Sequence, residues 1–364
     1  RRCLPPNRAE GSYLSPRTNA AMAWNSYNSS SQPYPKDDRK LSTPKDMDGV
    51  SSLSWSPKRD IMVATTWCKR ALAWEVSNNG QTRAVGMFTN SDPILASDFS
   101  GDGTRVFLGC ADGSGKMWNP ETKQAQMIAK HDSAIKCIKW CSKINVVATA
   151  GWDRKLKYWD CRKQSPVATV DLPERAYAMD VMDDVMVIGC ARRQITIFNL
   201  SNPGKIFKQE ETTLKNQIRC VACFPSGKKG YAAGSICGRV AINYLMPGDQ
   251  GKNFMFKCHR QKDKGVDRVF AVNAIEFYPR GTFATAGSDG QFVFWDKDSR
   301  QRLKKFDLKF NNTISCCKFN TPGNKFAYAV SYDWSKGMHH YANKENQIFL
   351  HPVNEKEIKP QQRS

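Results

Sequence analysis

Three hundred and sixty-four residues, 24% charged and 40% hydrophobic, exclude disorder of the whole chain and suffice to bury a large core. No apolar run reaches the ~20 residues of a membrane-spanning helix, no apolar secretory core opens the chain, and thirteen scattered cysteines do not form the disulfide framework of a short secreted domain. The 55 Lys and Arg against 34 Asp and Glu leave +21, and the first 36 residues hold only five basic and one acidic side chain, so the body of the chain attracts polyanions: nucleic acid or an acidic protein surface.

Reduced thiols in a nuclear or cytoplasmic protein fit this composition. Residues 1–36 are rich in Arg, Ser, Asn and Pro without periodicity, which predicts a disordered basic arm. From Asp37 a unit recurs: an alternating strand, a turn, a strand of β-branched and small residues, a tight turn, and a strand closed by an aromatic. The first copy runs from Val50 to Trp74, the second from Pro93 to Trp118, the third from Ala134 to Trp159 and the fourth from Tyr177 to Phe198. A fifth spans Arg219 to Tyr244, a sixth Val272 to Asp296, and a seventh Ile314 to Phe349.

The closing aromatics lie 44, 41, 39, 46, 51 and 54 residues apart, and two units end in Trp-Asp, at Trp159-Asp160 and Trp295-Asp296. That period predicts an all-β, seven-bladed WD-repeat propeller over residues 37–353, one closed ring followed by a tail over 354–364. Closure calls for a strand near Asp38 to Leu41 beside Ile348 to Leu350, because an open ring leaves a long sheet edge. In the third unit His131, Thr149, Asp153 and Trp159 are placed to form a buried hydrogen-bond chain with a structural role. The sixth unit repeats Thr285, Asp289 and Trp295, but His259 lies thirteen residues before Val272, a spacing that does not predict the same place for it.

Chemistry is sparse. His339-His340, read as adjacent strand residues, would point to opposite faces and lack accompanying ligands, and Cys220-Val221-Ala222-Cys223 reads as a strand with diverging buried thiols; neither predicts a metal. No phosphate-cradling loop or nucleophile elbow occurs, so neither an enzyme nor a cofactor is expected.

Segments between and within the blades carry a family resemblance. Gly151-Trp152-Asp153-Arg154-Lys155-Leu156-Lys157-Tyr158-Trp159-Asp160, Leu172-Pro173-Glu174-Arg175-Ala176-Tyr177, Gly234 to Ile242, Phe256 to Arg260 and Ser331-Tyr332-Asp333-Trp334-Ser335-Lys336-Gly337 are the carriers. From Asp37 to Pro360 the chain resembles the WD-repeat mRNA export factors of the nuclear pore. A sister family, the mitotic-checkpoint WD-repeat proteins that bind checkpoint kinases, is similar over the same blades; the Leu172 to Tyr177 and Tyr332 to Gly337 stretches favour the export family. Cys237 departs from the family's usual acidic residue.

The resemblance implies a non-enzymatic adaptor, monomeric alone, that docks on an FG-repeat nucleoporin segment and binds single-stranded RNA. It places the protein at the nucleus and nuclear envelope, shuttling to the cytoplasm, with a second role at the mitotic spindle. The family's basic and aromatic side groove maps onto Arg239, Phe256, Lys257, Arg260, Trp295, Asp296, Lys297 and Arg300. Cations there would neutralise phosphates while Phe256 or Trp295 offers a stacking face. A checkpoint-kinase adaptor, or a general single-stranded RNA-binding protein driven by the +21 charge, are the alternative readings.

Overall fold

The second strand of each unit is the most apolar, and this dictates the architecture: a strand that is greasy on both faces has to be covered on both. The computed structural model describes residues 33–225, 227–306, 308–341 and 345–359. In it seven four-stranded antiparallel sheets stand as blades of a ring, with one extra two-stranded hairpin. Every residue of the second strands Ile61–Thr66, Val106–Cys110, Val185–Cys190, Gly230–Ser235, Phe283–Gly287 and Lys325–Val330 is buried. The fourth strands, such as Thr82–Thr89 and Gln301–Phe306, form the solvent-facing rim.

Core clusters form between blades rather than inside them. Residues of blades 3 and 4 (Leu156, Tyr158, Met179, Ile188) share one cluster, and those of blades 6 and 7 (Phe292, Phe294, Phe319, Tyr328) share another. The approach is close enough to select glycine: a Cβ on Gly109 would stand 2.8 Å from Cγ2 of Ile135 in the next blade. Of the aromatics that close the units, Trp74, Trp118, Trp159, Phe198 and Phe349 are buried, whereas Tyr244 and Trp295 are partly exposed between blades 5 and 6.

The ring closes as expected from its edge. Arg39 and Lys40 pair with Leu350 and Phe349, and the Leu41 amide donates to the Ile348 carbonyl at 2.8 Å. Behind this strand the buried Asp38 carboxylate accepts from the Tyr328 hydroxyl and from Nδ1 of His351, both at 2.6 Å. Nε2 of His351 meets Glu357 at 3.2 Å, on a short helix, Glu355–Ile358, whose Ile358 is buried. Most of the expected arm, residues 1–32, lies outside the described residues, as do 360–364 of the tail. Residues 33–36 pack on blade 7, with the Tyr34 ring 4.5 Å from Phe349.

The polar chain of blade 3 is present. Asp153 accepts from Nδ1 of His131 at 2.8 Å, Nε2 meets the Thr149 hydroxyl at 2.7 Å, and Thr149 accepts from the Trp159 indole at 2.8 Å. Burial holds the imidazole pKa down despite Asp153, so the ring is neutral and both nitrogens are used. The spacing argument fails for blade 6. His259 reaches Asp289 at 2.8 Å and Thr285 at 2.9 Å, and Trp295 donates to Thr285 at 2.9 Å. The additional residues fold outward as a hairpin, Arg260–Asp263 with Val266–Val269, tied at its base by the Phe270 amide donating to the His259 carbonyl. An insertion that leaves and returns at one point does not displace the residue before it.

Two stability predictions follow from these pairs. Burial lowers the His351 pKa, but Asp38 and Glu357 outweigh it and bring it to about 9. The folded value exceeds the unfolded one, so the stabilisation, on the order of 3 kcal/mol, is complete below about pH 6.5 and lost as pH rises through 9. Thermal unfolding from pH 6 to 10 should show this decline, and Asp38→Asn should flatten it. Thr285→Val strands His259 and Trp295 without their shared partner and should cost roughly 2 to 4 kcal/mol by urea denaturation.

Candidate nucleic-acid interface

Six of the eight residues singled out in the sequence, Arg239, Phe256, Lys257, Arg260, Trp295 and Arg300, lie along the seam between the rim of blade 5 and the third strand of blade 6. Strand Arg239–Tyr244 pairs with Phe254–Lys257 so that Arg239 faces Lys257, Val240 faces Phe256 and Ile242 faces Phe254. Alternation then turns Phe254 and Phe256 towards the groove and exposes Met255 and Lys257. The Phe256 ring packs 4.7 Å from Trp295, which fixes the middle of the groove.

Cations mark both ends. At one end Arg239, partly buried, lies 3.6 Å from the Cys237 sulfur, and Arg260 donates to the Cys237 carbonyl at 3.1 Å while standing 3.9 Å from Asp267. Cys237 thus adds no carboxylate beside the two guanidiniums, and Asp267 alone stands near Arg260 among the ion pairs of the described residues. At the other end the exposed Arg300 stacks 4.7 Å over the Phe254 ring. The rise from Phe254 to Lys257 is about 10 Å, so the cationic ends flank a short aromatic floor.

Two residues mapped to this groove do not present their charges. The Lys297 side chain is buried, with Nζ 2.6 Å from Asp298 and 5.2 and 5.8 Å from the Phe224 and Tyr244 rings. Burial pushes its pKa down, and Asp298 opposes that. Asp296 is buried in a turn, where its carboxylate accepts from the Asp298 and Ser299 amides at 2.9 and 3.2 Å. Both side chains are buried, Asp296 by the turn its carboxylate caps and Lys297 by the rings and carboxylate around it. Trp295 serves doubly, holding Thr285 and flooring the groove.

A second surface went unread in the sequence. The connections between second and third strands all emerge at one end of the ring, called here the upper face, and several carry aromatics where a turn needs none. Trp152 is 41% exposed. Trp334 stacks on Tyr341 at 5.2 Å and lies 5.6 Å from Tyr332 and 6.1 Å from Trp67. Trp334 has φ of 61°, a strained backbone for a bulky side chain, and its buried indole N–H has no acceptor among the described residues. Exposed Arg154 and Arg192 stand in the same set of turns. The signal was Trp152 beside Asp153 and Trp334 beside Asp333, bulky apolar residues in polar turns.

His339 and His340 lie in an exposed 3₁₀ turn, Met338–His340, entered through Gly337 at φ of 75°, not on a strand. No group of metal-ligating side chains occurs among the described residues. Cys220 packs towards Val272 of blade 6 and Cys223 towards Asp180 of blade 4, the divergence expected of an alternating strand.

Comparison with known proteins gives a consistent picture. The WD domain, G-beta repeat pattern matches residues 122–160 and 256–296. The chain is 44% identical over 330 residues to the poly(A)+ RNA export protein of Schizosaccharomyces pombe, covering 89% of this chain and 93% of that one. It is 42% identical to the mRNA export factor GLE2 of Chaetomium thermophilum and 45% identical to protein RAE1 of Arabidopsis thaliana, covering 89% and 88% of this chain and 93% and 92% of theirs. Among solved structures, the RRP9 WD40 repeats superpose with a TM-score of 0.74 at 16% identity, covering 89% of this chain and 99% of that one, a likeness of fold.

The groove geometry makes a direct prediction. A pulse of amine acylation read by mass spectrometry should modify exposed Lys257 in the folded protein and spare Lys297 until blade 6 is unfolded by denaturant.

Proposed function

The chain belongs to the family of mRNA export factors, and on that premise we propose that it is a non-enzymatic adaptor in nuclear mRNA export. The observation that carries the reading is the groove itself: Arg300 stacked on Phe254, then Phe256 against Trp295, with the Arg239–Lys257 pair at the strand end on the other face of the rim sheet. Alternating cations and ring faces hold single-stranded RNA by phosphate neutralisation and stacking, without reading its sequence.

In this proposal an FG-nucleoporin segment docks on the upper face, where Trp67, Trp152 and the Trp334 cluster offer apolar anchors among arginines. Large aromatic anchors with cations suit an extended segment that orders on binding. The two surfaces meet at Arg239 and Lys257, at the upper end of blade 5, so a docked segment and a bound RNA strand would lie side by side. Residence at the nuclear pore and the spindle role belong to the same proposal, each through a segment carried on that face. The +21 charge favours a second reading, general RNA binding without a protein partner.

Fluorescence anisotropy of the full chain tests these readings together. The nucleoporin segment should bind in preference to a checkpoint-kinase segment and should strengthen RNA binding. Trp334→Ala should weaken the segment about tenfold and leave RNA affinity of the free chain unchanged. Arg239→Glu with Lys257→Glu should weaken RNA at least about tenfold and flatten its salt dependence. Preference for the kinase segment would move the chain to checkpoint binding. RNA affinity indifferent to the segment would favour the second reading, and RNA affinity indifferent to the double substitution would remove the groove.

A further inference from the structure

In each of the seven blades the register between first and second strands skips one residue near the upper face. A bulge of this kind turns the skipped side chain out of the ladder, here into the central channel. In blades 3 to 6 that residue is Lys136, Tyr177, Arg219 and Asn273, and in the other three blades it is a serine or a leucine. The seven bulge side chains themselves thus include two cations and no carboxylate, and the one acid beside them is the buried Asp333, which Asn273 contacts at 3.0 Å.

Deeper in the channel each cation has a carboxylate partner, and one further carboxylate is held by a backbone amide. Lys139 pairs with Asp180 at 2.9 Å, Lys318 pairs with Glu276 at 2.7 Å, and Asp98 accepts from the Trp140 amide at 2.8 Å. The mouth is different. Lys136 has no hydrogen-bond acceptor or ion-pair partner among the described residues, although burial and the neighbouring Arg219 both disfavour its charged form. Arg219 is braced by Asn273 and the Asp333 carbonyl, each at 2.9 Å, through Nε and Nη2, which leaves Nη1 open. Tyr177, on the blade between them, contributes a hydroxyl without a partner among the described residues. The Asp333 carboxylate is occupied by Asn273, Ser288 and the Ser335 amide.

Lys136, Tyr177 and Arg219 line the upper part of a channel cavity of about 180 Å³, whose deeper wall includes Asp98, Lys139 and Lys318. We propose that these three side chains, from three consecutive blades, form a binding site for a phosphate-sized oxyanion at the upper mouth of the central channel. A braced guanidinium, a lysine and a hydroxyl on three consecutive blades can supply charge-assisted hydrogen bonds to a tetrahedral anion. The anion supplies a partner for Lys136, whose charge none of the described residues matches. The site is separate from the blade 5–6 groove and takes one compact anion instead of a polyanion.

The test is calorimetric titration of the full chain, without any partner, with inorganic phosphate and with methyl phosphate at constant ionic strength set by chloride. Saturable binding of one ion per chain is expected. Lys136→Met should weaken it about tenfold or more and Tyr177→Phe several-fold, while Lys143→Gln, an equal charge loss in the exposed turn that follows the same strand, should leave it unchanged. Binding of methyl phosphate with the same variant pattern would assign the site to a phosphate carried on a larger molecule, and binding of inorganic phosphate alone to the free ion. Heat that does not saturate, or that is equal in the wild type, Tyr177→Phe and Lys136→Met proteins, would overturn the site and reduce it to the diffuse attraction of a +21 chain.

Discussion

No blade of this ring can cover itself. Its second strand is buried on both faces, so each sheet depends on two neighbours, and the first and last depend on the chain meeting itself. The closing strand is only two residues long and exposed, too little to hold a ring by backbone pairing alone. What secures it is the buried set behind it: Asp38 bridging Tyr328 and His351, with Glu357 reaching the far ring nitrogen. An imidazolium between two carboxylates ties the N-terminal strand, the last blade and the C-terminal helix together at the point where the ring closes.

Rigidity is what the surfaces of this ring would offer a partner. The blade 5–6 groove has its shape because Phe256 and Trp295 pack together and because Trp295 is itself held by Thr285 and His259. The upper-face aromatics are likewise fixed in relation to one another by ring contacts across blades 7 and 1. Preorganised surfaces of this sort lose little conformational freedom when a flexible segment or strand settles on them. The channel mouth follows the same logic, since seven equivalent bulges aim seven side chains at one axis.

The repeat was legible because burial on a propeller is periodic: alternation in first strands, continuous apolar residues in second strands and a closing aromatic each leave a mark on the sequence. The His131 chain was legible for the same reason, its members lying at spacings set by one blade. His259 was misjudged because sequence distance counted the residues of a hairpin that leaves the blade and returns to the same point. Lys297 was misjudged because a lysine after Trp-Asp looks like surface charge, and only packing reveals that Phe224, Tyr244 and Asp298 enclose it.

The sequence by itself determined the number of blades, the place of closure, the excess of positive charge and the lack of metal or nucleophile motifs, since each is a matter of composition or of period along the chain. It also placed Arg239, Lys257 and Arg300 in one neighbourhood through family resemblance. Only the tertiary structure decided which of those charges reach solvent, that Trp152 and Trp334 share a face, and that Lys136 and Arg219, far apart in the chain, look into one cavity. The physical reason is that exposure and charge balance are properties of neighbours across blades, and a ring makes neighbours of residues that the sequence keeps apart.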